Sequence, residues 1–147
     1  MRLPVRIRIL AIVVAFASLG ACAKTESVRI QNDTDEELFM RVSVDHYMDA
    51  YECSTQQHVG AFNREGLFTV DADDAICLVS DVPKGDKEFD IRERVRNLTL
   101  IRNGERCMYM TTDDLLPLYE EQGGRQTIEV RNSLCPRQGQ GSAPGSP

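Results

Sequence analysis

"NLTLIRNGERCMYM", residues 97–110, reads as two strands folded about Asn103-Gly104. Both central residues can adopt positive φ, which the type I′ turn of a two-residue β-hairpin requires. A two-residue loop sets Arg102 opposite Glu105, a favourable charge pair. The same register sets Leu100 opposite Cys107 and Leu98 opposite Tyr109, which places Cys107 on the buried face. Outward from this hairpin the chain keeps the same period-two grammar. In "EELFMRVSVDH" (36–46) Leu38, Met40, Val42 and Val44 share one face, with Arg41, Ser43 and Asp45 on the other. "SVRIQ" (27–31) turns Val28 and Ile30 inward, and "NDTDE" (32–36) joins it to the next strand as a turn, so the two are expected to form a hairpin. "LFTVDA" (67–72) and "AICLVS" (75–80) are expected to form a second, about Asp73-Asp74.

Further on, "TTDDLLPLYEEQGG" (111–124) suits a short helical turn, capped by Asp113 or Asp114, limited by Pro117 and ended at Gly123. "RQTIEVRN" (125–132) is a last strand with Ile128 and Val130 inward. Roughly seven strands at short spacing predict an all-β fold: a small, disulfide-stabilised antiparallel sandwich or partly open barrel, with at most one short helix. The chain has no tryptophan, so the Cys…Trp…Cys arrangement of immunoglobulin domains is missing. "VRIQN", "RVRN" and "EVRN" echo one another, but no 20–50-residue period appears.

The N-terminus is a different kind of sequence. "MRLPVRIR" carries Arg2, Arg6 and Arg8 and no acid, and Ile9–Gly20 is uncharged. That run is too short for a membrane span, which needs about twenty apolar residues. A basic segment before a short apolar one is the pattern of a secretory signal peptide. Leu19-Gly20-Ala21-Cys22 resembles the lipobox of bacterial lipoprotein precursors, although Gly20 departs from the more usual Ala or Ser. Small residues let the extended chain enter the signal-peptidase cleft, and only cysteine offers a thiol for thioether attachment of diacylglycerol. The resemblance, confined to about the first 22 residues, implies cleavage before Cys22 and acylation of that residue. Two or three acyl chains, at about 0.8 kcal/mol per buried methylene, hold a protein stably where one does not. Ala23 in place of Asp favours the outer membrane, facing the periplasm, under the sorting rule of enteric lipoproteins.

The expected organisation is therefore a signal peptide at 1–21, a lipidated tether at 22–27, a β-rich periplasmic domain at 28–135 and a disordered tail at 136–147. The tether's five residues after Cys22 reach roughly 17 Å when extended. The tail, "PRQGQGSAPGSP", has nothing large and apolar to bury. With Arg2, Arg6 and Arg8 removed, 17 basic residues become 14 against 23 acidic, a net charge of −9. Such a chain repels phosphates, so nucleic acid is not expected as a partner. The bilayer, through Cys22, and an envelope protein are the partners the sequence suggests.

Setting Cys22 apart leaves Cys53, Cys77, Cys107 and Cys135, which in an exported domain are expected to form two disulfides. Three connectivities are open. Cys53–Cys77 and Cys107–Cys135 are favoured because each encloses a compact segment. A metal site would draw on His46, His58 and Cys53, with Asp45, Asp49 and Glu52 nearby, but no spacing matches a known zinc grammar. "DADDA" (71–75) lacks the glycine and glutamate of a calcium loop, since Ile76 and Val82 stand at those positions. No G-x-S-x-G is present, and Ser54 lies four residues from His58 without a supporting motif. Asp113/Asp114 and Glu120/Glu121 are adjacent carboxylates, whereas glycoside hydrolysis needs two facing each other across a cleft. "DIRERVR" (90–96), read as a strand, would line up Arg92, Arg94 and Arg96 as a basic stripe on a solvated edge. No cofactor and no catalytic set is expected. The leading expectation is a non-catalytic binding or structural module; the alternative is an envelope enzyme acting on peptidoglycan or another periplasmic substrate.

Overall fold

A computed structural model describes residues 23–136; Cys22, the signal segment and residues 137–147 lie outside it. Ten strands form two sheets. The six-stranded sheet contains β1 (Thr25–Asp33), β3 (Met48–Glu52), β4 (His58–Phe62), β6 (Ala75–Asp81), β9 (Glu120–Gln122) and β10 (Arg125–Arg131), in the order β4-β3-β6-β1-β10-β9. The four-stranded sheet contains β2 (Leu38–Val44), β5 (Glu65–Val70), β7 (Val95–Arg102) and β8 (Glu105–Thr111), in the order β5-β2-β7-β8. The sheets are not closed into a barrel: the fold is an open sandwich. All strand pairs are antiparallel except β1 with β10, which run parallel. Among the described residues, helical structure is confined to the single turns α1 (Ile91–Arg94) and α2 (Thr112–Leu115) and a 3₁₀ turn at Leu116–Leu118.

The period-two pattern does its expected work at the core. Val28 and Ile30 from β1, Leu78 from β6 and Ile128 and Val130 from β10 meet Met40 and Val42 from β2 and Leu98 and Leu100 from β7, all fully buried. At about 25 cal/mol per Å² of apolar surface removed from water, these side chains are the main stabilising force. β1 also begins earlier than expected. Thr25 already pairs with Asp81, so three of the residues read as a tether are strand.

Pairing departs from the sequence reading in an instructive way. β1 and β2 are consecutive and closely joined, yet they lie in different sheets, as do β5 and β6. Neither pair is a hairpin; each connection is an arch that carries the chain across the core. Only β3–β4, β7–β8 and β9–β10 are joined within a sheet. The β7–β8 turn has the expected geometry, with φ of 53° at Asn103 and 78° at Gly104, and Arg102 stands opposite Glu105. Beyond that pair a bulge at Cys107 shifts the register. Leu100 faces Met108 and Leu98 faces Met110, while Tyr109 faces Thr99 and stays half exposed. An extra residue on one strand twists it and breaks the one-to-one count assumed from the turn.

Two more expectations fail locally. "DIRERVR" is not a strand: Asp90 caps α1 by accepting the Arg92 N–H at 3.0 Å, and the chain becomes extended only at Val95. Gly123 does not end a helix but sits in the β9–β10 turn with φ of 59°. α2 instead starts with a capping box, in which the Thr111 N–H donates to Asp114 at 2.9 Å.

Candidate functional site

The four cysteines of the described chain form two disulfides, Cys53–Cys77 and Cys107–Cys135. The first joins the end of β3 to its neighbour β6 within one sheet. The second ties β8 of the four-stranded sheet to the segment after β10 of the other, and so staples the sandwich across its layers. All four thiols are consumed.

The histidines do not converge on a ligand set. His46 packs edge-on to Phe89, with ring centroids 5.2 Å apart. His58 lies at the start of β4, its Nε2 3.0 Å from Asp49 Oδ1 and its ring 5.1 Å from that of Tyr51. Among the described residues, no group of three or more His, Cys, Asp or Glu is placed to hold a metal ion. Ser54 hydrogen-bonds to Asp74 at 3.3 Å rather than to His58. The arginines of "DIRERVR" do not share one face as a free stripe; each has an acidic neighbour. Arg92 forms a paired contact with Asp90, Arg96 pairs with Asp45, and Arg94 lies 3.9 Å from the same Asp45 with its guanidinium 5.5 Å from the Phe89 ring centre. The hydrogen bond from Arg92 holds the Asp90 carboxyl below its ordinary value.

Asn32, expected only as a turn residue, and Arg102, expected only as the partner of Glu105, organise the arches. Asn32, fully buried, donates from its amide to the carbonyls of Glu36, Val70 and Asp71, at 2.7, 2.9 and 3.1 Å. Its side-chain oxygen accepts from the Thr34 N–H and hydroxyl. Its backbone N–H donates to Asp74, and its carbonyl accepts from Asp73. One side chain thus clasps both arches. Arg102, also buried, donates to Glu36 at 2.8 Å, Asp35 at 2.9 Å, Asn132 at 3.0 Å and the Cys135 carbonyl at 2.7 Å. The guanidinium thereby ties the β1–β2 arch to the C-terminal segment. "NDTDE" and "RNGE" carried the signal only as turn grammar; nothing local marks a turn residue as buried.

Two concavities frame the four-stranded sheet. At the hairpin end, a groove of about 560 Å³ lies beside Arg102, Arg106, Cys107 and Pro136, with Glu36 and Glu105 in its wall. On the opposite edge, a cavity of about 190 Å³ opens between β5 and the start of β6. Phe68, in its lining, packs against Phe62 with ring centroids 5.6 Å apart. A Cβ on Gly66 would come within 2.7 Å of the Phe68 ring, so a larger residue there would have to displace that ring. No family model, curated protein or solved structure matches the chain.

Proposed function

We propose that this chain is a bacterial lipoprotein: anchored through acylated Cys22, it holds its sandwich at the outer membrane, facing the periplasm, as a non-catalytic binding or structural module of the cell envelope. The observation that carries the reading is the N-terminal sequence, where three arginines, an uncharged run and Leu19-Gly20-Ala21-Cys22 follow one another in the order of a lipoprotein precursor. The two disulfides support it, because such bonds persist in oxidising compartments. With β1 starting at Thr25, only Ala23 and Lys24 separate the lipidated residue from the first strand, so the domain rests close against the bilayer. Peptide mass spectrometry of the native protein, extracted in detergent and alkylated with and without reduction, tests this. The expected N-terminal peptide begins at Cys22 and carries acyl chains, and the other four cysteines alkylate only after reduction. An unmodified Cys22 inside a longer peptide sinks the proposal.

A further inference from the structure

The four sheet edges are not equivalent. β9 is three residues long, two of them glutamates. β8 is broken by the bulge at Cys107, and β4 by an extra residue, Val59, where Ala50 pairs with Gly60 but Tyr51 pairs with His58. Natural proteins blunt exposed edges with shortness, charge, bulges, lysine or proline, because an open edge recruits another strand. β5 has almost none of these. Its six residues pair with β2 one for one, without a bulge, and the sequence "EGLFTV" contains no lysine or proline. Its one charged residue, Glu65, lies at its first position and is 3.7 Å from Arg41. Among the described residues, no strand pairs with its other side.

Beside this edge lies the cavity of about 190 Å³, walled by Val59, Leu67, Phe68 and Ile76 and rimmed by Glu52, Asp71 and Asp74. Leu67 and Val59 are about half exposed, at 53% and 48%. None of the three rim carboxylates is in an ion pair among the described residues.

We propose that the β5 edge docks an extended segment of another protein, one with alternating apolar residues and flanking lysines or arginines, which adds a fifth strand to the four-stranded sheet and sets an apolar side chain into the cavity. Backbone hydrogen bonds supply affinity in this mode and the side-chain pocket supplies selectivity. The charge argues for the occupant. A second copy of this acidic chain would bring the same carboxylates to the rim. Residues 137–147 contain no large apolar side chain, and the described chain ends at Pro136 beside Cys107, towards β8 at the far side of the same sheet. The proposal rests on reading the domain as a binding module.

The test uses the full chain in detergent with its disulfides intact. The probe is a fluorescein-labelled ten-residue peptide of alternating Val and Thr with two lysines at each end, titrated by fluorescence anisotropy. Leu67→Lys, and separately Val59→Lys, are expected to weaken binding at least tenfold. Tyr109→Lys, on the opposite edge strand, adds the same charge and is expected to leave affinity within about twofold. Replacing the flanking lysines with glutamates abolishes binding. Absence of saturable binding, or equal weakening by Leu67→Lys and Tyr109→Lys, overturns the proposal. So does a dimer in sedimentation velocity that Leu67→Lys disperses, since the occupant is then a second copy. The acylation experiment fails or succeeds separately: an acylated chain that ignores the peptide loses only the docking site, and an unacylated chain that binds it loses only the anchor.

Discussion

Asn32 spends every hydrogen-bonding group it has inside the protein, and its five side-chain contacts reach two connections that are far apart in sequence. Asn32→Ala leaves the carbonyls of Val70 and Asp71 without that donor, at a cost of about 1–3 kcal/mol for each buried group left unsatisfied. We expect Asn32→Ala to lower stability by about 3 kcal/mol in urea unfolding, and Asn32→Asp, which keeps the shape but loses the donor, to rescue little of it. A loss below about 1 kcal/mol would mean that water replaces the amide and that the clasp is dispensable. Arg102 differs because its carboxylate partners remain partly in water, with side-chain exposures of 55% for Asp35 and 32% for Glu36. Removing the arginine therefore strands the Cys135 carbonyl more than it strands a charge. Arg102→Met is expected to cost about 2 kcal/mol, and Arg102→Lys more than half of that, because an ammonium cannot reproduce the fork that reaches four partners. Neither role was legible in the sequence. A turn asparagine and a hairpin arginine look the same whether they face water or close an arch, since the partners that decide it lie 30 to 67 residues away.

Whole strands were far more legible than their partners. The buried faces of β2, β7 and β10 follow from alternation alone, since a strand's side chains change face at every residue. Which strand lies beside which does not follow, because a short polar connection serves a hairpin and an arch equally well. "RNGE" is decisive only because Asn-Gly specifies a turn type; Gly104→Ala, at φ of 78°, is expected to cost about 1 kcal/mol for that reason. The helical turn α1 is masked in the sequence because "DIRERVR" alternates like a strand, while its Asp90 acts as an N-cap three residues before Glu93. That cap has a pH signature. The folded-state pKa of Asp90 lies below its unfolded value, first because of the hydrogen bond from Arg92. The stabilisation is therefore complete above the ordinary carboxylate range and disappears as pH falls through the folded value. Asp90→Asn, which keeps the cap and loses the ion pair with Arg92, is expected to be less stable than the native chain at pH 6 by up to about 1 kcal/mol, the gap closing as pH falls below the ordinary carboxylate range through the lowered folded-state value. A gap that stays the same across that range would remove the ion pair from the account.

At the scale of the molecule, the chain passes between the two sheets six times and stays within one sheet only at β3–β4, β7–β8 and β9–β10. Contacts of that kind are long-range, so loop-closure entropy must be overcome before packing is gained. Cross-links that shorten the unfolded ensemble matter accordingly. The sequence separations of 24 and 28 residues give nearly the same chain-entropy contribution, about 3.5 kcal/mol for each disulfide. Their structural positions are not the same. Cys53–Cys77 joins neighbouring strands that already share a ladder, whereas Cys107–Cys135 closes one sheet upon the other beside buried Arg102. Replacing both cysteines of the first pair by alanine is expected to cost about the entropic amount. The same change in the second pair should cost more, because it also frees the segment that supplies the Cys135 carbonyl to Arg102. The two closed loops do not overlap in sequence, so their chain-entropy contributions add, and together they are comparable with the whole stability of a domain this size, about 5–15 kcal/mol. Urea unfolding of the native chain and of the two double-alanine variants measures each term. Reduction with dithiothreitol measures the sum, and the reduced chain is expected to be largely unfolded at 37 °C. A reduced chain with an unchanged urea midpoint would show that packing alone carries the fold, and the disulfides would then no longer argue for an oxidising compartment.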